Sequence, residues 1–105
     1  MLDPEALRLL GTDVDVARLD DLCRRYGIAS LAVFGSVARG QAESASDLDL
    51  LYELRPGARL GWEIDELVAE LTVLFGRPVD LVARRALHPL LRDSVLDEAR
   101  PVYAA

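Results

Sequence analysis

Segments with the periodicity of a helix alternate along this chain with short apolar runs that are typical of strands. The helical pattern predicts helices over residues 13–26, over residues 64–75, and from Pro89 to the proline at position 101. Strands are predicted over residues 30–34, 47–54 and 79–82. A tight turn into a short helix is expected over residues 35–40, and a loop over residues 44–46. The resulting order, α-β-α-β-α-β-α, indicates an α/β fold with one sheet.

The length and composition fit one small domain. A chain of 105 residues is too short for two domains, so a single domain over 1–105 is expected, and a hydrophobic content of 51% supports one modest core. The acidic N-terminus does not resemble a signal peptide, and no stretch approaches the roughly 20 apolar residues that span a bilayer. The single cysteine, Cys23, cannot form an internal disulfide. We therefore expect a soluble, cytoplasmic protein.

The charge of the chain restricts its partners. Acidic residues outnumber basic ones 18 to 12, which gives a formal net charge of −6. Because nucleic-acid binding depends on a basic surface, direct binding of DNA or RNA is not expected. If the chain handles a phosphate compound, it must use a local device, either a metal ion or a helix N-terminus.

Three aspartates lie where strands normally carry apolar or neutral side chains. Asp47 and Asp49 are two residues apart, so both would leave the same face of one strand, roughly 7 Å from each other. Asp80 interrupts a second strand that can lie beside the first. Crowded carboxylates repel one another, and oxygen ligands without His or Cys suit Mg²⁺ or Mn²⁺ rather than zinc. The alternative, which the residues alone leave open, is a solvated strand face.

A glycine–serine turn precedes these aspartates. Gly35 ends an apolar run and allows a bulky anion to approach the backbone, while Ser36 offers a hydroxyl at the start of a short helix. Arg39 follows one helical turn later. Each of these residues also has a plain structural interpretation, as a common turn or as a surface arginine.

Together, the residues are more specific than any of them alone. Gly35-Ser36, then ten residues, then Asp47-x-Asp49 resembles the signature of the nucleotidyltransferase superfamily that includes DNA polymerase β. The fuller string, from Gly35 to Gly40 and from Ser46 to Leu50, resembles its minimal branch, the MNT proteins. Asp80 and the ending over residues 98–103 also fit that branch, so the resemblance covers essentially the whole chain. It implies the nucleotidyltransferase fold: a small mixed sheet of three strands or slightly more, with flanking helices.

The resemblance also implies a nucleotide-binding site. Gly35 and Ser36 would hold the β- and γ-phosphates of ATP, and Arg39 would assist them. ATP would be the substrate rather than a bound cofactor.

The catalytic and metal-binding roles follow from the same resemblance. Asp47 and Asp49 would bind the Mg²⁺ that bridges the triphosphate, with Mn²⁺ as the other candidate. Asp80 would complete a second metal site and help to deprotonate the attacking hydroxyl. Two metal ions that straddle an in-line displacement stabilise both the attacking and the leaving oxygen.

Three functions are left open at this point. MNT proteins are typically encoded beside HEPN-domain proteins as the antitoxin of a toxin–antitoxin pair. The first hypothesis is therefore that the protein transfers AMP to a hydroxyl group of a HEPN toxin, preferably that of a tyrosine. The two proteins would form a hetero-oligomer. The second is a non-catalytic antitoxin that neutralises its partner by binding. The third is a small-molecule nucleotidyltransferase, whose relatives usually carry an added helical domain.

Three further residues have simple structural interpretations. Cys23 lies on the apolar stripe of the first helix and is predicted to belong to the core. Trp62 is predicted to pack near the start of its helix. Tyr103 is compatible with either an interface or a packed C-terminal tail.

Overall fold

A four-stranded sheet organises the part of the chain that this computed structural model describes, residues 2–8, 14–40 and 47–105. Its strands are β1 (Ile28–Phe34), β2 (Leu48–Leu54), β3 (Val79–Ala83) and β4 (Arg100–Ala104). They lie side by side in the order β3-β2-β1-β4. β1 is antiparallel to β2 and β4, whereas β2 and β3 are parallel. The predicted mixed sheet is confirmed, with one strand more than the minimum of three.

Five α-helices accompany the sheet within the described ranges. They are α1 (Pro4–Arg8), α2 (Val16–Arg25), α3 (Gly35–Ala38), α4 (Ile64–Phe75) and α5 (Pro89–Glu98). None of the described helices has the length and apolar character to cross a membrane. The last four correspond to the predicted helices, and the predicted loop over 44–46 lies outside the described residues.

Two elements were not predicted, α1 and β4. α1 is one short turn, too brief to show a periodic pattern, although Asp3 caps it through bonds from the amides of Glu5 and Ala6. β4 was hidden because Pro101 suggests a stop rather than a strand. Since β4 is an edge strand, a residue without an N–H is tolerated there.

The hydrophobic core lies on one face of the sheet. Alternate residues of β1 and β2 point into it, and α2 and α4 cover them with their apolar stripes. The fully buried large side chains are Leu19 and Leu22 of α2, Ile28, Leu31 and Val33 of β1, Leu48 and Leu50 of β2, Leu67, Leu71 and Phe75 of α4, and Val102 of β4. The other face of the sheet is left for side chains that need not be apolar.

The three side chains with simple interpretations have different outcomes. Cys23 is fully buried, and burial raises the pKa of its thiol to about 12, so it is an unreactive core residue as predicted. Tyr103 is buried in β4 opposite Leu31, which makes the tail part of the sheet. The prediction for Trp62 is wrong. Its side chain is 84% exposed because it lies in the turn before Ile64, where the apolar stripe of α4 begins.

Gly76 offers a test of how α4 ends. It caps the helix with φ +70°, and a β-carbon there would meet no described atom within 4 Å. Gly76→Ala should therefore cost only the strain of an alanine in the left-handed region. We expect a loss of roughly 1–2 kcal/mol in the free energy of unfolding, measured by urea denaturation. The control is Gly61→Ala, because Gly61 lies outside the left-handed region and its nearest contact would be Glu63 Oε2 at 3.4 Å. Equal losses in the two variants would contradict this explanation.

Candidate active site

The turn after β1 lies directly against the carboxylate of Asp49. Phe34, the last residue of β1, is paired with Asp49 of β2, so Gly35 begins α3 beside that side chain. Gly35 has φ +74°, and a β-carbon built on it would overlap the Asp49 carboxylate. The backbone conformation therefore favours glycine, and a larger residue would also force the Asp49 carboxylate to move. Ser36 is the next residue of α3, so the glycine–serine turn and the first carboxylate form one site.

A second carboxylate lies beside the first. β2 and β3 pair in parallel with Asp49 opposite Asp80, and paired residues in a parallel sheet point to the same face. Leu48 and Leu50, on either side of Asp49, enter the core, so the two carboxylates lie on the opposite face. Asp47 is exposed and precedes β2, which begins at Leu48 rather than at Asp47 as predicted. Asp47 therefore lies one residue before the strand, whereas Asp49 lies within it.

The electrostatics of Asp49 show how crowded this face is. Its pKa is raised, first by burial and then by the charges of Asp80 and Asp47. Arg39 opposes the shift and Glu98 adds to it, so both charges are close to Asp49. An arrangement of this kind favours a cation or a proton at Asp49.

The donor set suits a hard cation, although the triad is not preformed. Within the described residues, no group of three or more His, Cys, Asp or Glu side chains is arranged closely enough to hold a metal ion. The neighbouring pair Asp49 and Asp80 nevertheless fits Mg²⁺, which usually takes one or two protein carboxylates and completes its shell with water and substrate phosphates. The negative charge of Asp47 raises the pKa of Asp49, but Asp47 is not a third close neighbour of the pair.

Glu98 joins the site without having been predicted there. It is the last residue of α5, and its Oε1 accepts the Gly35 N–H at 3.0 Å. Its Oε2 lies 3.1 Å from Nη1 of Arg39, which ends α3. The packing of α5 against α3 creates this contact, and no spacing rule in the sequence connects the two segments.

The face that carries the carboxylates also has a shallow cleft of about 320 Å³. It lies between the sheet and the end of α5, with Ala32 and Leu51 on one side, Leu96 and Ala99 on the other, and Arg84 close by. Its size is at the lower end of small-molecule pockets. Within the described residues, the carboxylates therefore lie on the same face of the sheet as a small, largely apolar depression.

The crowding of carboxylates predicts an unusual effect of Asp49→Asn. Because the folded-state pKa of Asp49 is raised, its contribution to stability is fully present below the unfolded pKa of about 3.9 and is lost as pH rises through the folded pKa. At pH 7 in EDTA, Asp49→Asn should therefore raise the melting temperature by about 2–4 °C. The gain should disappear near pH 3.5. The control is Asp97→Asn, which removes an exposed charge from α5, and a lower melting temperature for Asp49→Asn at pH 7 would refute the argument.

The close approach at Gly35 can be separated from its backbone conformation. Gly40 also has a positive φ, +70°, but a β-carbon there would meet no described atom within 4 Å. Gly35→Ala and Gly40→Ala both place an alanine in the left-handed region, which alanine disfavours. Only the added β-carbon at position 35 meets the Asp49 carboxylate. Gly35→Ala should lose about 0.5–1.5 kcal/mol more unfolding free energy in urea, the usual cost of turning a side chain such as Asp49 away from its preferred rotamer. Similar losses would show that the carboxylate can move away freely.

Comparison with known proteins agrees with this geometry. Residues 18–102 match the family described as nucleotidyltransferase domain, a range that includes β1 to β3 and all the site residues named above. The protein adenylyltransferase MntA of Thermococcus cleftensis is 35% identical over 82 residues, which are 78% of this chain and 82% of that protein. A solved structure of a provisionally named minimal nucleotidyltransferase is 42% identical, covers 87% of this chain and 97% of its own, and superposes with a TM-score of 0.67.

A more distant solved structure shares the fold. It contains the tri-AMPylated Shewanella oneidensis HEPN toxin in complex with MNT antitoxin, at 20% identity and a TM-score of 0.59 over 85% of this chain and 69% of that chain. At that identity the likeness concerns the fold alone. The sequence match and the close structural relative decide the family: this chain belongs to the nucleotidyltransferase domain family of enzymes.

Proposed function

We propose that this protein is an antitoxin that transfers AMP from magnesium-bound ATP to a tyrosine hydroxyl of a HEPN-domain toxin. The observation that carries the proposal is the contact of the Gly35 turn with Asp49, which itself lies in register beside Asp80. The turn that would bind phosphate and the two carboxylates that would bind a metal ion are thereby parts of one surface. That is the arrangement that nucleotidyl transfer requires.

The turn would bind the outer phosphates. Gly35 has no side chain to keep a phosphate from the backbone, and its N–H together with Ser36 would face the β- and γ-phosphates. Arg39, whose charge already acts on Asp49, would supply a charge-assisted hydrogen bond. With the β- and γ-phosphates bound at the turn, the α-phosphate would lie near the carboxylates.

The carboxylates would hold the metal and the attacking group. The neighbouring pair Asp49 and Asp80 would hold Mg²⁺, or Mn²⁺, and Asp47 would join them as a further ligand when a metal ion draws the three carboxylates together. The bound ions would supply charge stabilisation for the nucleotidyl transfer. The acceptor hydroxyl oxygen would form a bond to the α-phosphorus as the bond from that phosphorus to the bridging oxygen breaks. Pyrophosphate would leave, and Asp80 would accept the hydroxyl proton.

The described part of the site favours a protein as the acceptor. The cleft formed by the described residues, about 320 Å³, is at the lower end of small-molecule pockets, and a docked protein would position its own hydroxyl beside the carboxylates. Leu90 and Leu91 of α5 are 86% and 58% exposed, an apolar pair that a partner could bury. The Thermococcus relative has the name of a protein adenylyltransferase, and the Shewanella complex contains an AMPylated HEPN toxin. The net charge of −6 is a reason against a nucleic-acid acceptor.

The direct test is transfer of labelled AMP. The purified protein, magnesium, ATP labelled at the α-phosphate and the HEPN protein encoded beside it should give a labelled HEPN protein, and mass spectrometry should place AMP on tyrosine. EDTA should abolish transfer. Asp49→Asn and Asp80→Asn should each reduce it by at least about a hundredfold, since even outer-shell partners of metal sites cost roughly 10- to 100-fold.

The control for the loss of one negative charge is Asp97→Asn. Asp97 is an exposed acid near the C-terminal end of α5, so this variant should retain transfer. Undiminished transfer by both Asp49→Asn and Asp80→Asn would refute the catalytic roles. Neutralisation of the toxin without any transfer of label would instead identify a binding antitoxin. Label found only on small molecules would identify the third function.

A further inference from the structure

The carboxylate of Glu98 occupies donors that the proposed function assigns to phosphate. Its Oε1 accepts the Gly35 N–H at 3.0 Å, and both of its oxygens are within 3.3 Å of Arg39 Nη1. An anion is therefore already bound at the start of α3, and it comes from the C-terminal end of α5.

The two anions cannot share the Gly35 amide. The Gly35 amide has one hydrogen and donates one strong bond, so a phosphate oxygen that takes it must displace Glu98. The Glu98 charge also adds to those of Asp47, Asp49 and Asp80 on the surface that a triphosphate must approach. Both effects oppose nucleotide binding for as long as Glu98 stays in place.

The release of Glu98 is nevertheless easy. Its side chain is 25% exposed and that of Arg39 is 47% exposed, so water can replace much of what the pair loses. No residue of α5 is buried, so a new rotamer at its last residue disturbs no packed core. A triphosphate, with several charges to place on the same donors, can therefore win this exchange.

We propose that Glu98 is an internal competitor for the outer-phosphate subsite, which ATP must displace from the Gly35 amide in order to bind. This inference rests on the proposed function. It makes Glu98 a residue that sets both the affinity for ATP and the preference for a triphosphate over a monophosphate. Removal of the Glu98 carboxylate should strengthen the binding of ATP. If Glu98 instead helped to bind ATP, its removal would weaken the binding.

The test is calorimetric titration of magnesium-bound ATP and of AMP into four proteins: the wild type, Glu98→Ala, Glu98→Gln and Asp97→Ala. Glu98→Ala should bind ATP about tenfold more tightly, the effect of removing one charge-assisted competitor, and AMP with unchanged affinity. Glu98→Gln should gain about threefold, because its amide oxygen can still accept the Gly35 N–H without the charge. Asp97→Ala changes the net charge by the same amount at an exposed neighbour and should stay within about twofold of the wild type.

The opposite results would overturn the inference. Weaker or unchanged ATP binding by Glu98→Ala, or an equal gain in Asp97→Ala, would show that Glu98 does not compete with phosphate. If Glu98→Ala does not fold, as judged by thermal melting, the absence of a gain in Glu98→Gln decides the matter in the same way.

The failure of the proposed function would look different. If the folded proteins all fail to bind magnesium-bound ATP, the proposed function and this inference fall together. If the wild type binds ATP and labels its HEPN partner while neither Glu98 variant gains affinity, only the competitor role is overturned.

Discussion

The close contact between the Gly35 backbone and the Asp49 carboxylate is the constraint on which the site depends. It exists because β1 and β2 are antiparallel and pair Phe34 with Asp49, so the chain leaves one strand at the point where the carboxylate of the other stands. A shift of one residue in this register would turn Asp49 towards the core and bring a leucine to the turn. The buried leucines on either side of Asp49 oppose that shift, so the hydrophobic core also fixes the position of the site.

The same arrangement is unfavourable for the protein without a bound cation. Asp49 is partly buried beside two other acids, and its raised pKa expresses the resulting destabilisation of its charged form. Arg39 offsets some of this repulsion, but it also holds Glu98, which adds a further negative charge. Stability and site chemistry are thus in conflict at one strand end, which is common where charged groups are gathered for function.

Local patterns made much of this site predictable. Gly35 at the end of an apolar run indicates a turn, and the alternation after Asp47 indicates a strand with one polar face, so their order along the chain places Asp49 near the turn. The single acid in a second apolar strand indicated that Asp80 can lie beside Asp49, but it did not indicate that the two strands are parallel. By contrast, β4 was concealed by Pro101, and Glu98 depends on how α5 packs against α3. Contacts of this second kind join segments distant in sequence and leave no periodicity or spacing to detect.

The position of the core leaves the face that carries the carboxylates outside the main cluster of buried residues. α2 and α4 cover one face of the sheet and supply buried apolar side chains, while α5 contributes no buried residue and lines the cleft on the other face with Leu96. The polar face therefore does not need to be closed for the domain to be stable. Glu98 is the residue of α5 that bonds to the start of α3, so its ion pair with Arg39 and its bond to Gly35 join the C-terminal helix to the glycine–serine turn. The position of α5 and the availability of the Gly35 amide are consequently linked through the Glu98 carboxylate. This carboxylate is partly exposed, so another anion can replace it without disturbing the core.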